Sequence, residues 1–152
     1  MNKKYLLIMC ILGIASLFFV TGIYAGTTAP DVIKMENKAY DKHKKPIVKF
    51  SHKRHIDGYK LGCGECHHDA DGKPRSELKM GDEVKNCIEC HSKASAAPKG
   101  KDAPKLSKKE KMAYHAEAMH ENCKDCHKKA NKKSGKKSAP TSCAKCHPKA
   151  EK

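Results

Sequence analysis

The sequence contains no tryptophan, and beyond residue 25 it has one phenylalanine, Phe50, and three tyrosines, Tyr40, Tyr59 and Tyr114. So few large apolar side chains in a chain of 152 residues exclude an ordinary core built from side chains alone. The missing interior must be supplied by something other than polypeptide. Acidic residues are scarce too, 17 against 32 lysines and arginines, a formal charge of +15. So basic a chain invites a nucleic-acid reading, but the aromatic side chains that would interleave with the basic ones are absent. Length limits the chain to one domain.

The one long apolar run stands at the N-terminus. Lys3 and Lys4 precede an apolar stretch from Tyr5 to Ile23, and Ile23-Tyr24-Ala25 closes it on a small residue. That is the layout of an export signal. Residues 1–25 are therefore read as a signal peptide and residues 26–152 as a single domain. The stretch is also long enough for an uncleaved anchor, which is the only route by which a membrane enters this reading. Cys10 lies within it, and Met9 is a poor residue to precede a lipid-modified cysteine. Without Lys3 and Lys4, 30 basic residues face 17 acidic ones, a formal +13. Export also argues against nucleic acid as a partner.

Cysteine and histidine are abundant. Eight of the nine cysteines fall into four copies of C-x-x-C-H: Cys63-Gly-Glu-Cys66-His67, Cys87-Ile-Glu-Cys90-His91, Cys123-Lys-Asp-Cys126-His127 and Cys143-Ala-Lys-Cys146-His147. This is the attachment signature of c-type haem. Two intervening residues let both thiols reach the two vinyl groups on one haem edge, and the histidine that follows falls beneath the iron as its proximal ligand. Paired cysteines also occur in zinc ribbons, but a ribbon has no reason to place histidine after every second cysteine. Disulfides would suit an exported chain with an even cysteine count, yet they too leave those histidines unexplained. Four covalently bound haems supply the absent core, and so short a chain leaves their edges near the surface. Their eight propionates offset much of the positive charge. The lysines are then read as a solvated face and a docking surface for an acidic redox partner.

Along the chain, Val32–Met35 and Ile47–Phe50 alternate well enough for a small hairpin. Residues 69–86 form a turn-rich spacer with Asp71-Gly72 and Gly81-Asp82, and residues 92–106 form an exposed loop rich in Ala, Pro, Lys and Gly. Ser107-Lys-Lys-Glu110 reads as a capping box that opens a helix through about Asn122. Met112, Ala116, Met119 and Cys123 share one face of it. Lys128 to Lys152 is expected to be irregular. First cysteines recur at spacings of 24, 36 and 20 residues, which excludes a solenoid.

Each iron has a second axial position. Beyond the proximal His67, His91, His127 and His147, the chain has His43, His52, His55, His68, His115 and His120, with Met35, Met80, Met112 and Met119 as alternatives. Histidine suffices for all four, giving six-coordinate low-spin irons of low potential. His68 follows His67 directly, so the two side chains diverge and can serve two different haems; His52 and His55 can do the same from one turn. His115 and His120 lie about 140° apart on a helix and cannot serve one iron. His120 is nearer the middle of the apolar face and is preferred. His43 lies among lysines and is read as solvated.

With these residues in view, the chain from about Lys34 to Lys152 resembles the tetrahaem cytochrome c3 family, the class III cytochromes c. The specific parts are Ile47-Val-Lys-Phe50-Ser-His52-Lys-Arg-His55 and Cys63-Gly-Glu-Cys66-His67-His68; Tyr114-His115 through Met119-His120 adds a looser match. The resemblance implies axial pairs His67/His52, His91/His68, His127/His55 and His147/His120. Two features depart from it. Many members have C-x-x-x-x-C-H at the second and fourth sites, and His120 stands only three residues before Cys123, as in the related trihaem cytochromes c7.

The fold implied is a small multihaem cytochrome c, with a few short α-helices and a short N-terminal β-hairpin wrapped around four haems. The function implied is not enzymatic. It is that of a monomeric, periplasmic, low-potential carrier that takes up protons with its electrons, shuttling between hydrogenase or similar donors and membrane-bound cytochrome complexes. Docking is expected near the fourth haem, through Lys128, Lys129, Lys132, Lys133, Lys136, Lys137 and Lys145. The alternatives are a multihaem terminal or metal reductase, and a haem conduit within a larger assembly.

Overall fold

The computed structural model describes residues 29–149; the expected signal segment lies outside them. The hairpin is shorter than its sequence pattern. Strands β1 (Ile33–Lys34) and β2 (Lys49–Phe50) pair antiparallel, with Ile33 opposite Phe50 and Lys34 opposite Lys49. The half-buried pair and the exposed pair occupy opposite faces, as alternation in a strand requires. Met35 N–H donates to the Val48 carbonyl at 2.9 Å and extends the pairing by one bond. β2 thus feeds Phe50 straight into Ser51–His55. A wide π-type turn, Arg54–Gly58, follows.

In the spacer, Asp69 Oδ1 accepts from the N–H groups of Asp71 and Lys73, each at 2.9 Å. This Asx turn brings Gly72 to φ +80, where a side chain would be strained. Helix α1 (Cys87–Cys90) is opened by a capping box in which Asn86 and Glu89 satisfy each other's backbone N–H.

The expected single helix after Ser107 is broken. The Ser107–Glu110 capping box forms and opens α2 (Lys108–Met112), but Tyr114 is extended at φ −85, ψ 118, and α3 (His115–His120) starts afresh. The cause is tertiary. Lys93 N–H donates to the Ala113 carbonyl at 3.0 Å, and the Lys93 carbonyl accepts from His115 N–H at 2.9 Å. These bonds replace the helical ones that α2 and α3 would have shared. The loop of residues 92–106 is therefore not merely exposed: it is pinned to the helix break, and Ala97 is buried.

Downstream, a π-type turn at Glu121–Asp125 leads into α4 (Cys126–Ser134), where irregular chain was expected. Lys and Ala are good helix formers, and Gly135 ends the helix in the left-handed conformation at φ +67. Asn131 then clamps the returning chain, bonding both the N–H and the carbonyl of Ala139 at 2.9 Å. A last turn, α5 (Cys143–Cys146), completes the fold.

Among the described residues only Leu78, Ala97, Ala118 and His115 are buried, and none is fully enclosed. Among the described residues the helices run from four to nine residues, and none is long and apolar enough to cross a membrane. This is the small, sparsely ordered architecture that the composition predicts.

Candidate haem-binding site

Each C-x-x-C-H motif is built around one helical turn. In the first, second and fourth, the histidine N–H donates to the carbonyl of the first cysteine, at 2.9 Å for His67, 2.9 Å for His91 and 2.8 Å for His147. Positions i and i+3 share a helix face, so the two thiols of a motif are presented side by side. In the third motif Cys123 sits in the π-type turn and Cys126 begins α4. Gly64, inside the first motif, has a specific cause: a Cβ there would stand 2.7 Å from Ser76 Oγ and 3.0 Å from the Ser76 backbone.

Among the described residues none of the eight motif cysteines is paired in a disulfide. Burial raises the proton affinity of Cys66, Cys87 and Cys146, and pushes the Cys123 thiol up to about 11. Cys66, Cys87, Cys126 and Cys146 also lie within electrostatic reach of Cys66 or Cys123. The motifs therefore converge. Asn122 Nδ2 ties the third to the first, donating to the Cys66 carbonyl at 3.4 Å.

The histidines stand in twos. Ring centroids of His68 and His91 are 5.9 Å apart, those of His55 and His127 6.1 Å, and those of His120 and His147 6.4 Å. Two imidazoles on opposite sides of one metal ion, each nitrogen about 2 Å from it, have centroids about 6 Å apart. His52 lies close enough to His67 for its charge to lower the His67 pKa, after the larger effect of burial and alongside Arg75 and His68. Among the described residues no three His, Cys, Asp or Glu side chains gather as a metal cage, so the four-ligand geometry of structural zinc is not formed.

Backbone carbonyls orient five of these rings. His127 donates through Nδ1 to the Pro140 carbonyl at 2.7 Å, His147 to Pro46 at 2.7 Å, His55 to Ser51 at 2.8 Å and His68 to Asp69 at 2.7 Å. His91 donates to the Met112 carbonyl. A carbonyl only accepts, so each proton is on Nδ1 and the Nε2 lone pair is left for a metal. Burial also lowers the pKa of His67 and His120, favouring the neutral ring that ligation needs. These residues fit the group that the motifs imply: cysteines in adjacent pairs, three pairs of imidazoles across the width of one ion, and five rings with Nε2 left free.

His115 and His43 are placed elsewhere. His115 is 9% exposed and its Nδ1 lies 2.9 Å from Tyr40 Oη. Tyr40 stacks on His43 with centroids 4.9 Å apart. His43 Nε2 accepts the Asn37 N–H at 3.4 Å, so this ring is half-buried and hydrogen-bonded rather than solvated. Sequence reasoning missed the whole cluster. Tyr40 and His43 are near neighbours in sequence but His115 lies 75 residues from Tyr40, and only the lone aromatic Tyr40 in a polar loop hinted at a packing partner.

Comparison with known proteins agrees with this geometry. Residues 28–147 match the class III cytochrome C family. The chain is 37% identical over 123 residues to cytochrome c3 of Maridesulfovibrio salexigens, a span covering 80% of this chain and 96% of that protein. Motifs, paired rings and family match together mean that the chain belongs to the class III cytochrome c family, as a small multihaem electron-transfer cytochrome that binds c-type haem covalently through its cysteines.

Proposed function

We propose that the chain carries four haems and acts as a periplasmic, low-potential electron shuttle between an acidic donor such as hydrogenase and membrane-bound cytochrome complexes. Bound c-type haem supplies a one-electron ferric/ferrous couple. Cys63/Cys66, Cys87/Cys90, Cys123/Cys126 and Cys143/Cys146 would hold the four groups, with axial pairs His67/His52, His91/His68, His127/His55 and His147/His120. The observation that carries this reading is the set of ring pairs about one bis-imidazole ion apart, five of whose rings keep Nε2 free by donating from Nδ1 to a carbonyl.

Histidine on both sides leaves no vacant position, which favours carriage over bond chemistry. His67 and His68 are consecutive, yet His67 lies within reach of the charge of His52 while the His68 ring stands 5.9 Å from that of His91. One dipeptide thereby ties two centres together and shortens the path between them. Export, expected from the N-terminal run, puts the thiols where c-type haem is attached. The exposed lysines of α4 and the following loop supply a positive face that speeds encounter with an acidic partner.

The test combines intact mass with spectroscopy on the mature holoprotein. A mass four haems above the polypeptide, with every oxidised iron low-spin by electron paramagnetic resonance, is expected. Three haems, or a high-spin signal in the resting oxidised protein, would overturn the count or the ligation.

A further inference from the structure

The rings of the four proposed pairs are not held equally. His55 and His127 are each anchored through Nδ1, and so are His68 and His91; in the fourth pair His147 is anchored and His120 is not. At the first pair no Nδ1 bond is formed on either ring among the described residues, and His52 Nδ1 is buried with no partner at all. A buried N–H without an acceptor is a standing cost to the bound geometry. Phe50 is the ring neighbour of His52 at 5.9 Å. His55, by contrast, packs on Phe50 at 4.7 Å and edge-on to Tyr59 at 5.6 Å.

We infer that His52 is the exchangeable axial ligand of this protein, and that the iron between His67 and His52 takes a neutral, π-accepting diatomic ligand, of which carbon monoxide is the probe, when reduced. The inference rests on the proposed bis-histidine ligation. For most rings, departure sacrifices a hydrogen bond to a carbonyl. For His52, swinging out gives Nδ1 access to water, so departure gains a hydrogen bond instead. His120, the other unanchored distal ring, belongs to an exposed residue, whereas His52 is half-buried and its Nδ1 fully so. The apolar neighbour Phe50 suits a neutral diatomic better than an anion. In the exchange the bond from His52 Nε2 is released, one from the diatomic carbon takes its place, and no electron or proton is transferred.

Stopped-flow mixing of the fully reduced holoprotein with carbon monoxide provides the test. We expect one equivalent bound per chain in a slow phase whose rate does not rise with carbon monoxide concentration, because His52 departure limits it. In the adduct, nuclear magnetic resonance should show the perturbed haem methyls next to Cys63 and Cys66. His52→Ala should accelerate uptake at least tenfold with the stoichiometry still one, whereas His120→Ala should add a second equivalent and keep the slow phase. The proposal is overturned if native protein binds none, if the adduct maps to another cysteine pair, or if His52→Ala gains a fast equivalent while retaining the slow one. The mapping on native protein decides the matter even where a variant fails to mature. Failure of the bis-histidine reading itself looks different: a high-spin signal before any ligand is added, or fast, concentration-dependent uptake by native protein.

Discussion

Two neighbouring histidines, His52 and His55, lie on the same short segment and meet very different surroundings. The ring pair His55/His127 is anchored on both sides, by the carbonyls of Ser51 and Pro140. Among the described residues the pair His67/His52 has neither anchor, and the Arg75 guanidinium sits near enough to His67 to lower its pKa. A ring that donates from Nδ1 is the more basic at Nε2 and stabilises ferric iron, lowering its potential. A nearby cation acts in the opposite direction. Under the proposed ligation, one segment thus delivers a strong donor to one centre and a weak donor to another. Motifs of one pattern therefore need not give equivalent haems.

The largest expected effect comes from exchanging ligand type at the two ends of this comparison. His55→Met should raise the potential of one haem by several decades in its reduction equilibrium, at about 59 mV per decade for one electron. His52→Met should raise a different haem by less, since that centre starts from a weaker donor. Equal rises in a potentiometric titration would break the comparison.

The second effect sharpens it at the half-anchored pair. His120→Met should raise one potential and leave the other three nearly unchanged, because its ring stands 6.4 Å from His147. His115→Met should leave all four nearly unchanged, since His115 is engaged with Tyr40. Loss of a low-spin haem in the His115 variant would show that the wrong ring of α3 had been assigned.

Smaller still is the effect of Gly64→Ala. The new Cβ would meet Ser76 Oγ at 2.7 Å and its backbone at 3.0 Å, an overpacking of about 1–3 kcal/mol. Denaturant unfolding of the holoprotein should show a lowered midpoint with an unchanged slope. Potentials at the three other motifs should not move.

Charge reversal at Lys132, Lys133, Lys136 and Lys137 should leave every potential almost untouched. It should slow association with an acidic partner about tenfold at low ionic strength, and the loss should shrink as salt is added. A loss indifferent to salt, measured by stopped-flow electron transfer, would place docking elsewhere.

Much of this molecule is legible in its residues because covalent chemistry leaves a local mark. C-x-x-C-H needs fixed spacing, the hairpin shows in the alternation around Phe50, and Ser107/Glu110 announces a helix start. What was not legible depends on partners distant in sequence. The helix break at Tyr114 comes from Lys93, about twenty residues away, and no local propensity encodes it. The ring anchors are of the same kind: the carbonyl of Pro46 orients His147, and that of Met112 orients His91. A carbonyl has no residue identity, so such a bond leaves no trace in composition or motif. The extension of α4 to Ser134 is different. Gly135, after a lysine-rich run, was a visible stop signal for a helix that the charge density had disguised.

The account turns on unequal anchoring of otherwise equal motifs, and a redox titration followed by nuclear magnetic resonance, with each haem's methyl signals assigned to its cysteine pair, tests it most directly. The haem at Cys63/Cys66 should have the highest potential, those at Cys87/Cys90 and Cys123/Cys126 the lowest, and that at Cys143/Cys146 should fall between them. A titration in which the Cys63/Cys66 haem is reduced last would contradict the account.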